Sequence, residues 1–396
     1  MASDFVSLNS WRRPGFLYQA GGAVEVVAGG AEDWPRLRER LAHWKARAGE
    51  PAVPGGAAGF FRYDGSFWFG IYPRFDEVAV GAESAAWAAR RRAAGPMAAR
   101  VPEWHSPLSQ ADYEAMVRAA QEFIRNGDIY QVNLARRFAT PFAGNAYRLF
   151  EHLLARSPAP GAAFVDTGAM EVLGASPELF LSITGRRVVT RPIKGTRPRG
   201  ADPARDGALA RELAADPKEA AELVMITDLE RNDLGQICDY GSVEVSGLLR
   251  LERFAQVFHL VSTVEGHLRA GIDAVAAVAA CFPGGSITGA PKRRAMEIIA
   301  ALEPVPRGLY TGAVGWLGFD GDAEFGMAIR TLVREGGELH YHTGSGITAD
   351  SDPAAEYRET LDKARGLRLA LDAYAEEAGA RAGSTNSSRN AVPEGI

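Results

Sequence analysis

The chain has 396 residues, 46% of them hydrophobic and 23% charged, with a formal net charge of −5. That length allows one large domain or two ordinary ones around a substantial core, and the negative balance argues against nucleic-acid binding, which needs a dominant basic patch. Cys238 and Cys281 have no CxxC or Cys/His spacing and read as core residues of a reducing compartment; no long apolar run follows Arg12-Arg13, so neither a signal peptide nor a membrane span is expected and the location reads as cytoplasmic.

Residues 1–105 read as a smaller N-terminal lobe. Strand-like runs stand at Ala23–Val27, Gly59–Tyr63 and Phe67–Tyr72, a helix is expected over Ala31–Ala48, and the Ala/Arg-rich Gly81–Arg100 reads as a helix or linker. From Ser106 the patterning sharpens. Asp112–Asn126 carries apolar residues at helical spacing and stops at Gly127. Ile129–Phe138 alternates, with Tyr130, Val132 and Leu134 on one face and Gln131, Asn133 and Ala135 on the other. The alternation does not choose which face is inward. Further strands fill Phe164–Thr190, broken by Gly168, Gly174 and Gly185.

Arg191-Pro192-Ile193-Lys194-Gly195-Thr196-Arg197-Pro198-Arg199-Gly200 follows the last of these strands. Arg191, Arg197 and Arg199 create a positive local field around Lys194 that favours the free amine, the form that acts as a nucleophile. A basic surface loop is the plainer reading. Glu178 precedes Lys194 by 16 residues, close enough for a hairpin to bring an acid to the amine. Asp216-Pro217-Lys218-Glu219 is a helix start with an Asp cap, Pro at the first position and Glu at the third. Glu222 lies one turn on, and the helix ends in the charged cluster Asp228–Asp233. Asp352-Pro353 opens a second such helix, with Glu356 and Glu359 three apart on one face. Four carboxylates from two helices suit Mg²⁺; acids near helix N-termini are the alternative explanation.

Cys281–Arg294 is a glycine-rich loop that runs into a helix at Pro291. Its cations Lys292, Arg293 and Arg294 oppose the helix dipole and call for an anion or an acidic neighbour. Tyr310–Phe319 and Glu324–Val333 read as strands, the second placing Arg330 beside Gly326 and Ala328 on a face with room for a carboxylate. The strand Glu338–Thr343 runs into Gly344-Ser345-Gly346, read as an anion-binding turn of backbone amides. Residues 106–373 form the expected catalytic region, and 374–396 read as a flexible tail.

These segments, in order, resemble the chorismate-utilising enzymes: anthranilate, aminodeoxychorismate, isochorismate and salicylate synthases. The resemblance spans about 107–370 and rests on GDIYQVNLARRF (127–138), SPELF (176–180), PIKGTRPRG (192–200), AELVMITDLERNDLG (221–235), HLVSTVEG (259–266), FPGGSITGAPKRRAMEII (282–299), YTGAVGW (310–316), AIRT (328–331) and GSGITADSDPAAEYRETLDKA (344–364). It implies an α+β fold of large antiparallel β-sheets sandwiched between helices. It also implies Mg²⁺ on Glu222 and Glu359, with Glu219 and Glu356 close or water-linked. Arg330 is implied as a carboxylate clamp, helped by Tyr310, the Gly344, Ser345 and Gly346 segment and Lys363. His259 matches a histidine near the departing 4-hydroxyl, and Thr288 and Gly289 match a loop lining the ring.

Two positions divide the family. Isochorismate and salicylate synthases resemble each other in a water-activating lysine, where this chain has Gln131. Anthranilate synthases have alanine where Lys194 stands. The lysine implies attack of its amine on chorismate, with Glu178 as acid–base partner, and then displacement by ammonia to give 4-amino-4-deoxychorismate for p-aminobenzoate and folate. The ammonia would come from a glutamine amidotransferase subunit. Anthranilate synthesis and a catalytically silent glutaminase-binding subunit are the alternatives. Gly15-Phe16-Leu17-Tyr18-Gln19 stands where such synthases carry a Leu-rich tryptophan-binding strand.

Overall fold

In a computed structural model the chain is described at residues 4–48, 55–80, 87–88, 97, 103–254 and 256–389. Nearly all of Gly81–Arg100, expected as helix or linker, lies outside the described residues. Two antiparallel sheets dominate. The first runs, in spatial order, through Gly289–Ala290, Gln131–Pro141, Glu338–Ile347, Thr331–Glu335, Met170–Ser176, Gly161–Asp166, Phe5–Asn9, Phe16–Gly21 and Asp76–Ala79. The second runs through Ile193–Pro198, Val257–His267, Arg187–Arg191, Leu179–Thr184, Ala323–Met327, Ala313–Gly318, Gly56–Phe61, Phe67–Tyr72 and Glu25–Gly29, with Glu244–Arg253 paired to Val257–His267.

The sheets face each other across a core to which the first contributes Val6, Leu8, Tyr18 and Val165 and the second Ala58, Phe60, Tyr72 and Trp316. Their outer faces are covered by helices. Trp34–Ala48 and Ala274–Cys281 bury Trp34, Leu37 and Val278 against Phe61, Phe69 and Phe325. Ala146–Arg156 and Arg365–Arg389 bury Leu149, Phe150, Leu371 and Tyr374 against Phe164, Leu332 and Tyr341. The result is the expected α+β sandwich, helix–sheet–sheet–helix, because each sheet is apolar on both faces and must be covered on both.

The residues expected as a smaller lobe supply strands to both sheets: Phe5–Asn9 pairs with Gly161–Asp166, and Gly56–Phe61 with Ala313–Gly318. The stretch expected as a tail from 374 begins inside the helix Arg365–Arg389, with Tyr374 fully buried and Ala378 nearly so. Its Ala-rich composition hid an apolar stripe that docks on the Ala146–Arg156 helix. The helix expected at Asp112–Asn126 runs Gln110–Arg125. Ser109 caps it by accepting from the Asp112 amide, while the Asp112 carboxylate accepts from the Ser109 amide.

The chain passes from one sheet to the other at two adjoining places that matter for the site. Met170–Ser176 belongs to the first sheet and Leu179–Thr184 to the second, so Pro177-Glu178 is a crossing. The single strand expected over Glu324–Val333 is in fact two, Ala323–Met327 in the second sheet and Thr331–Glu335 in the first. Ala328–Arg330 makes the return crossing, with Arg330 in the left-handed region (φ 49°). The crossings are tied together: the Met327 amide donates to the Glu178 carbonyl at 3.0 Å and the Ala175 amide to the Arg330 carbonyl at 3.1 Å. A non-glycine residue at positive φ costs on the order of 1–3 kcal/mol and persists only where its surroundings over-determine it.

Candidate active site

The crossings open onto a cleft of about 820 Å³. One wall is the edge strand Ile193–Pro198, where Lys194 pairs with Leu260 and Thr196 with His259. Gly195 between them is a β-bulge with φ 69°, which turns Lys194 inward. Lys194 is therefore half-buried in a strand and not on a surface loop. Its Nζ donates to the Ser286 carbonyl at 3.4 Å, and the Ser286 hydroxyl donates to Glu178 Oε1. The hairpin of Leu179–Thr184 with Arg187–Arg191, in register Leu179↔Arg191, brings Glu178 and Lys194 to the same end of the sheet.

The positive field expected around Lys194 is neutralised. Arg191 pairs with Glu252, Arg197 with Glu212 at 2.8 Å and Asp216 at 2.9 Å, and Arg199 with Asp206 at 2.8 Å. What distinguishes the lysine is its placement. A Cβ on Gly346 would stand 3.6 Å from Lys194 Nζ and 2.2 Å from Gln131 Nε2, so glycine leaves the room in which both side chains meet the strand.

Glu178 is 5% exposed. Burial pushes its carboxyl up to about 7, against the opposing pull of the Ser286 hydrogen bond, Lys194, Lys363 and Arg330. His259 is pushed down to about 4, first by burial and then by Arg330. Its Nδ1 lies 3.2 Å from the Gly195 carbonyl and 3.0 Å from Thr196 Oγ1. A carbonyl partner makes Nδ1 the donor, so the buried, unpartnered Nε2 is a bare acceptor at the cleft. Arg330 also lines the cleft, with no ion-pair partner among the described residues. Tyr310 stacks on His342 at 5.4 Å, and both line the cleft.

The opposite wall carries the acids. Asp216 Oδ1 accepts from the Lys218 and Glu219 amides at 3.0 and 3.3 Å and starts the helix Pro217–Gly235. Asp352 Oδ1 accepts from the Ala355 amide at 2.7 Å and starts Pro353–Lys363. Glu219, Glu222, Glu356 and Glu359 all line the cleft. Burial raises the Glu222 carboxyl, with Lys194 and Lys218 opposing and Glu219 and Glu359 adding to it. Glu356 Oε1 accepts from Ser351 at 2.7 Å, while its Oε2 is buried without a partner. Among the described residues no three His, Cys, Asp or Glu side chains converge as a metal cluster. Mg²⁺ needs only one or two carboxylates beside water and substrate oxygens. Mutually repelling hard donors and an orphaned carboxylate oxygen fit such an ion. Glu359 also takes Lys363 Nζ at 2.7 Å, and that lysine donates to the Gly344 carbonyl at 3.0 Å.

Three expected residues stay behind the wall. Thr288 Oγ1 donates to the Gly284 carbonyl at 3.0 Å, Gly289 packs so closely that a Cβ would meet the Gln131 carbonyl at 2.2 Å, and Ser345 Oγ shares a 2.9 Å bond with Tyr113. The expected amide turn at Gly344–Gly346 is a strand paired with Asn133–Ala135. Its other edge is open, because pairing with Thr331–Glu335 ends at Val333↔His340. Sequence reasoning missed Ser286, which carries the link from Lys194 to Glu178, and His342. It also left Gln131 and Asn133 undecided; both are buried, with Gln131 Oε1 unpartnered and Asn133 beside the Tyr310 hydroxyl. The cations after the glycine-rich loop do meet acidic neighbours: Lys292 donates to Asp233, and Arg294 to Asp128 at 2.9 Å.

Residues 73–368 match the family model of the chorismate binding enzymes. Anthranilate synthase component 1 of Streptomyces coelicolor is 48% identical over 283 residues, 70% of this chain and 55% of that one. Aminodeoxychorismate synthase component 1 of Bacillus subtilis is 43% identical over 272 residues, 69% of this chain and 58% of that one. The chain thus spans a little over half the length of the curated relatives it matches. The crystal structure of anthranilate synthase component I from Streptococcus pneumoniae superposes with a TM-score of 0.74 at 30% identity, covering 92% of this chain and 89% of that one. No described helix is long and apolar enough to cross a membrane.

Proposed function

Because the chain belongs to the chorismate-binding enzyme family, we propose that it aminates chorismate at C4 to give 4-amino-4-deoxychorismate, the precursor of p-aminobenzoate and folate. The observation that carries this reading is Lys194, an amine inside the cleft and one residue away, through Ser286, from the raised carboxyl of Glu178. The amine attacks C2 of chorismate, the ring double bonds shift, and the 4-hydroxyl departs. Glu178, near half protonation at neutral pH, gives that hydroxyl a proton so that it leaves as water, and takes one from the new ammonium. Ammonia then attacks C4, the double bonds shift back and Lys194 is expelled, with the same carboxyl moving the protons. Dividing the substitution between two attacks is covalent catalysis.

His259 enters as an acceptor that orients the 4-hydroxyl, since a neutral imidazole with a bare Nε2 has no proton to give there. Arg330 holds a carboxylate as a charge-assisted pair, beside Tyr310 and the open strand edge at Gly344–Gly346. Glu222 and Glu359, with Glu219 and Glu356 nearby, would hold Mg²⁺, which when bound supplies charge and orientation to a substrate carboxylate. Ammonia is supplied by a glutamine amidotransferase subunit, in keeping with relatives named as component 1 of their synthases.

Anthranilate synthesis stands beside this reading, because the Streptomyces and Streptococcus relatives carry that name. Incubating the protein with chorismate, ammonium and Mg²⁺ separates the two. The amination reading expects aminodeoxychorismate and a chorismate-dependent mass adduct that vanishes in Lys194→Ala. Anthranilate and pyruvate as products, or an adduct that persists in the variant, would overturn it.

A further inference from the structure

Glu230 has no part in the reaction above, yet it is 4% exposed and lies directly behind the loop that carries Ser286. Its Oε1 accepts from the Gly285 amide at 3.1 Å, and its Oε2 from the Thr190 hydroxyl at 3.3 Å. It therefore bridges the strand Arg187–Arg191 to the loop. The next residue, Ser286, gives its hydroxyl to Glu178 and its carbonyl to Lys194. A carboxyl in an interior position is costly where an apolar side chain would fill the space, and its helix neighbours Ile226 and Leu234 are such side chains. The Gly285 amide is the group that the acid serves. A Cβ on Gly285 would stand 3.2 Å from Glu230 Oε1, so glycine permits the close approach.

We propose that Glu230 is a positioning residue for the reaction: by holding the Gly285 amide it sets Ser286, and through the Ser286 hydroxyl it orients Glu178. The inference rests on Glu178 being the acid–base group. The charged and titratable groups that face Glu230 are Asp233, Lys292, Glu178 and the Cys281 thiol. Burial first, then Asp233, pushes its carboxyl up, with Lys292 opposing. Raised in this way, Glu230 acts on Glu178 through the loop's geometry more than through its own charge. The Ser286 hydrogen bond favours ionised Glu178, so releasing the loop moves the titration of Glu178 to higher pH.

The test is the pH–rate profile with chorismate and ammonium for the wild type, Glu230→Ala, Glu230→Gln, Ser286→Ala and the Glu230→Ala/Ser286→Ala double variant. Glu230→Ala is expected to lower kcat on the order of 10²-fold with KM for chorismate little changed. It should move the Glu178 limb to higher pH as far as Ser286→Ala does, and the double variant should move it no further. Glu230→Gln, whose amide oxygen still accepts from the Gly285 amide, should return the limb to its wild-type place. Glu230→Leu serves if the alanine variant does not fold. A limb that moves in Ser286→Ala but not in Glu230→Ala or Glu230→Leu overturns the proposal alone, as do shifts that add in the double variant. Full activity in Glu178→Gln overturns the acid–base reading and this inference with it.

Discussion

Replacing Glu178 by glutamine should slow turnover and stabilise the protein, the second effect growing as pH rises above the ordinary carboxyl value of 4.5. Burial raises this carboxyl from its ordinary 4.5 to about 7. Between those values the native protein holds a proton that the unfolded chain has released. Stability from this group is therefore complete below the unfolded value and is lost as pH rises through the native one. At 1.36 kcal/mol for each pH unit of separation, the loss totals about 3 kcal/mol. Glutamine has the same shape and cannot ionise, so it escapes the loss while keeping an oxygen for the Ser286 hydroxyl. Urea unfolding of the ligand-free protein, followed by tryptophan fluorescence, measures the variant-minus-wild-type difference. It should be small at about pH 5 and approach about 3 kcal/mol at about pH 8. Other titrating groups cancel in the difference. A gap that is the same at both pH values refutes the claim that Glu178 titrates near 7 in the native state. Over the same range, kcat should fall by roughly 10²–10⁴-fold in the variant.

Arg330 and the acidic helices give two further expectations. Arg330→Met should weaken chorismate binding by about 2–5 kcal/mol, as loss of a charge-assisted pair does, yet leave Tm unchanged or higher because an unpaired guanidinium has been removed; a fall in Tm with binding retained would make the arginine structural. Chelation with EDTA should stop turnover and Mg²⁺ should restore it, and Glu222→Gln or Glu359→Gln should raise the Mg²⁺ concentration needed for half-restoration. Turnover indifferent to EDTA in the wild type would remove the metal from the site.

Much of the site was legible because its residues sit in local signals. The Asp-Pro helix starts placed Glu219, Glu222, Glu356 and Glu359 at the ends of two helices, and both helices do open onto the cleft. The Glu178–Lys194 separation left room for a hairpin, and the structure has one in Leu179–Thr184 with Arg187–Arg191, Lys194 lying in the strand just beyond it. Failures came where non-local pairing overrode the local pattern. Alternation ran unbroken through Ala328–Arg330, so nothing in the sequence marked a change of sheet; the sign of that change is a backbone angle. Gly344–Gly346 looked like a turn because of its glycines, whereas they serve close approach on a strand. The arginine field near Lys194 was inferred from neighbours in sequence, but its acidic partners come from 206 to 252 and were invisible to a local reading. Ser286 was passed over because a serine among glycines is ordinary loop composition, and its link to Glu178 spans 108 positions.

The paired crossings between the sheets also restrict how the molecule can breathe. A shear of one sheet over the other would have to break the Met327–Glu178 and Ala175–Arg330 hydrogen bonds together, and with them displace the acid and the arginine. Opening of the cleft is therefore expected beside the crossings, where the two glutamate-bearing helices start. The amide protons of Ala175 and Met327 should exchange with solvent only on global unfolding, while those at the starts of the helices exchange through local opening. The backbone that aims Glu178 and Arg330 is thus tied at both crossings, whereas the two glutamate-bearing helices begin at the rim of the cleft.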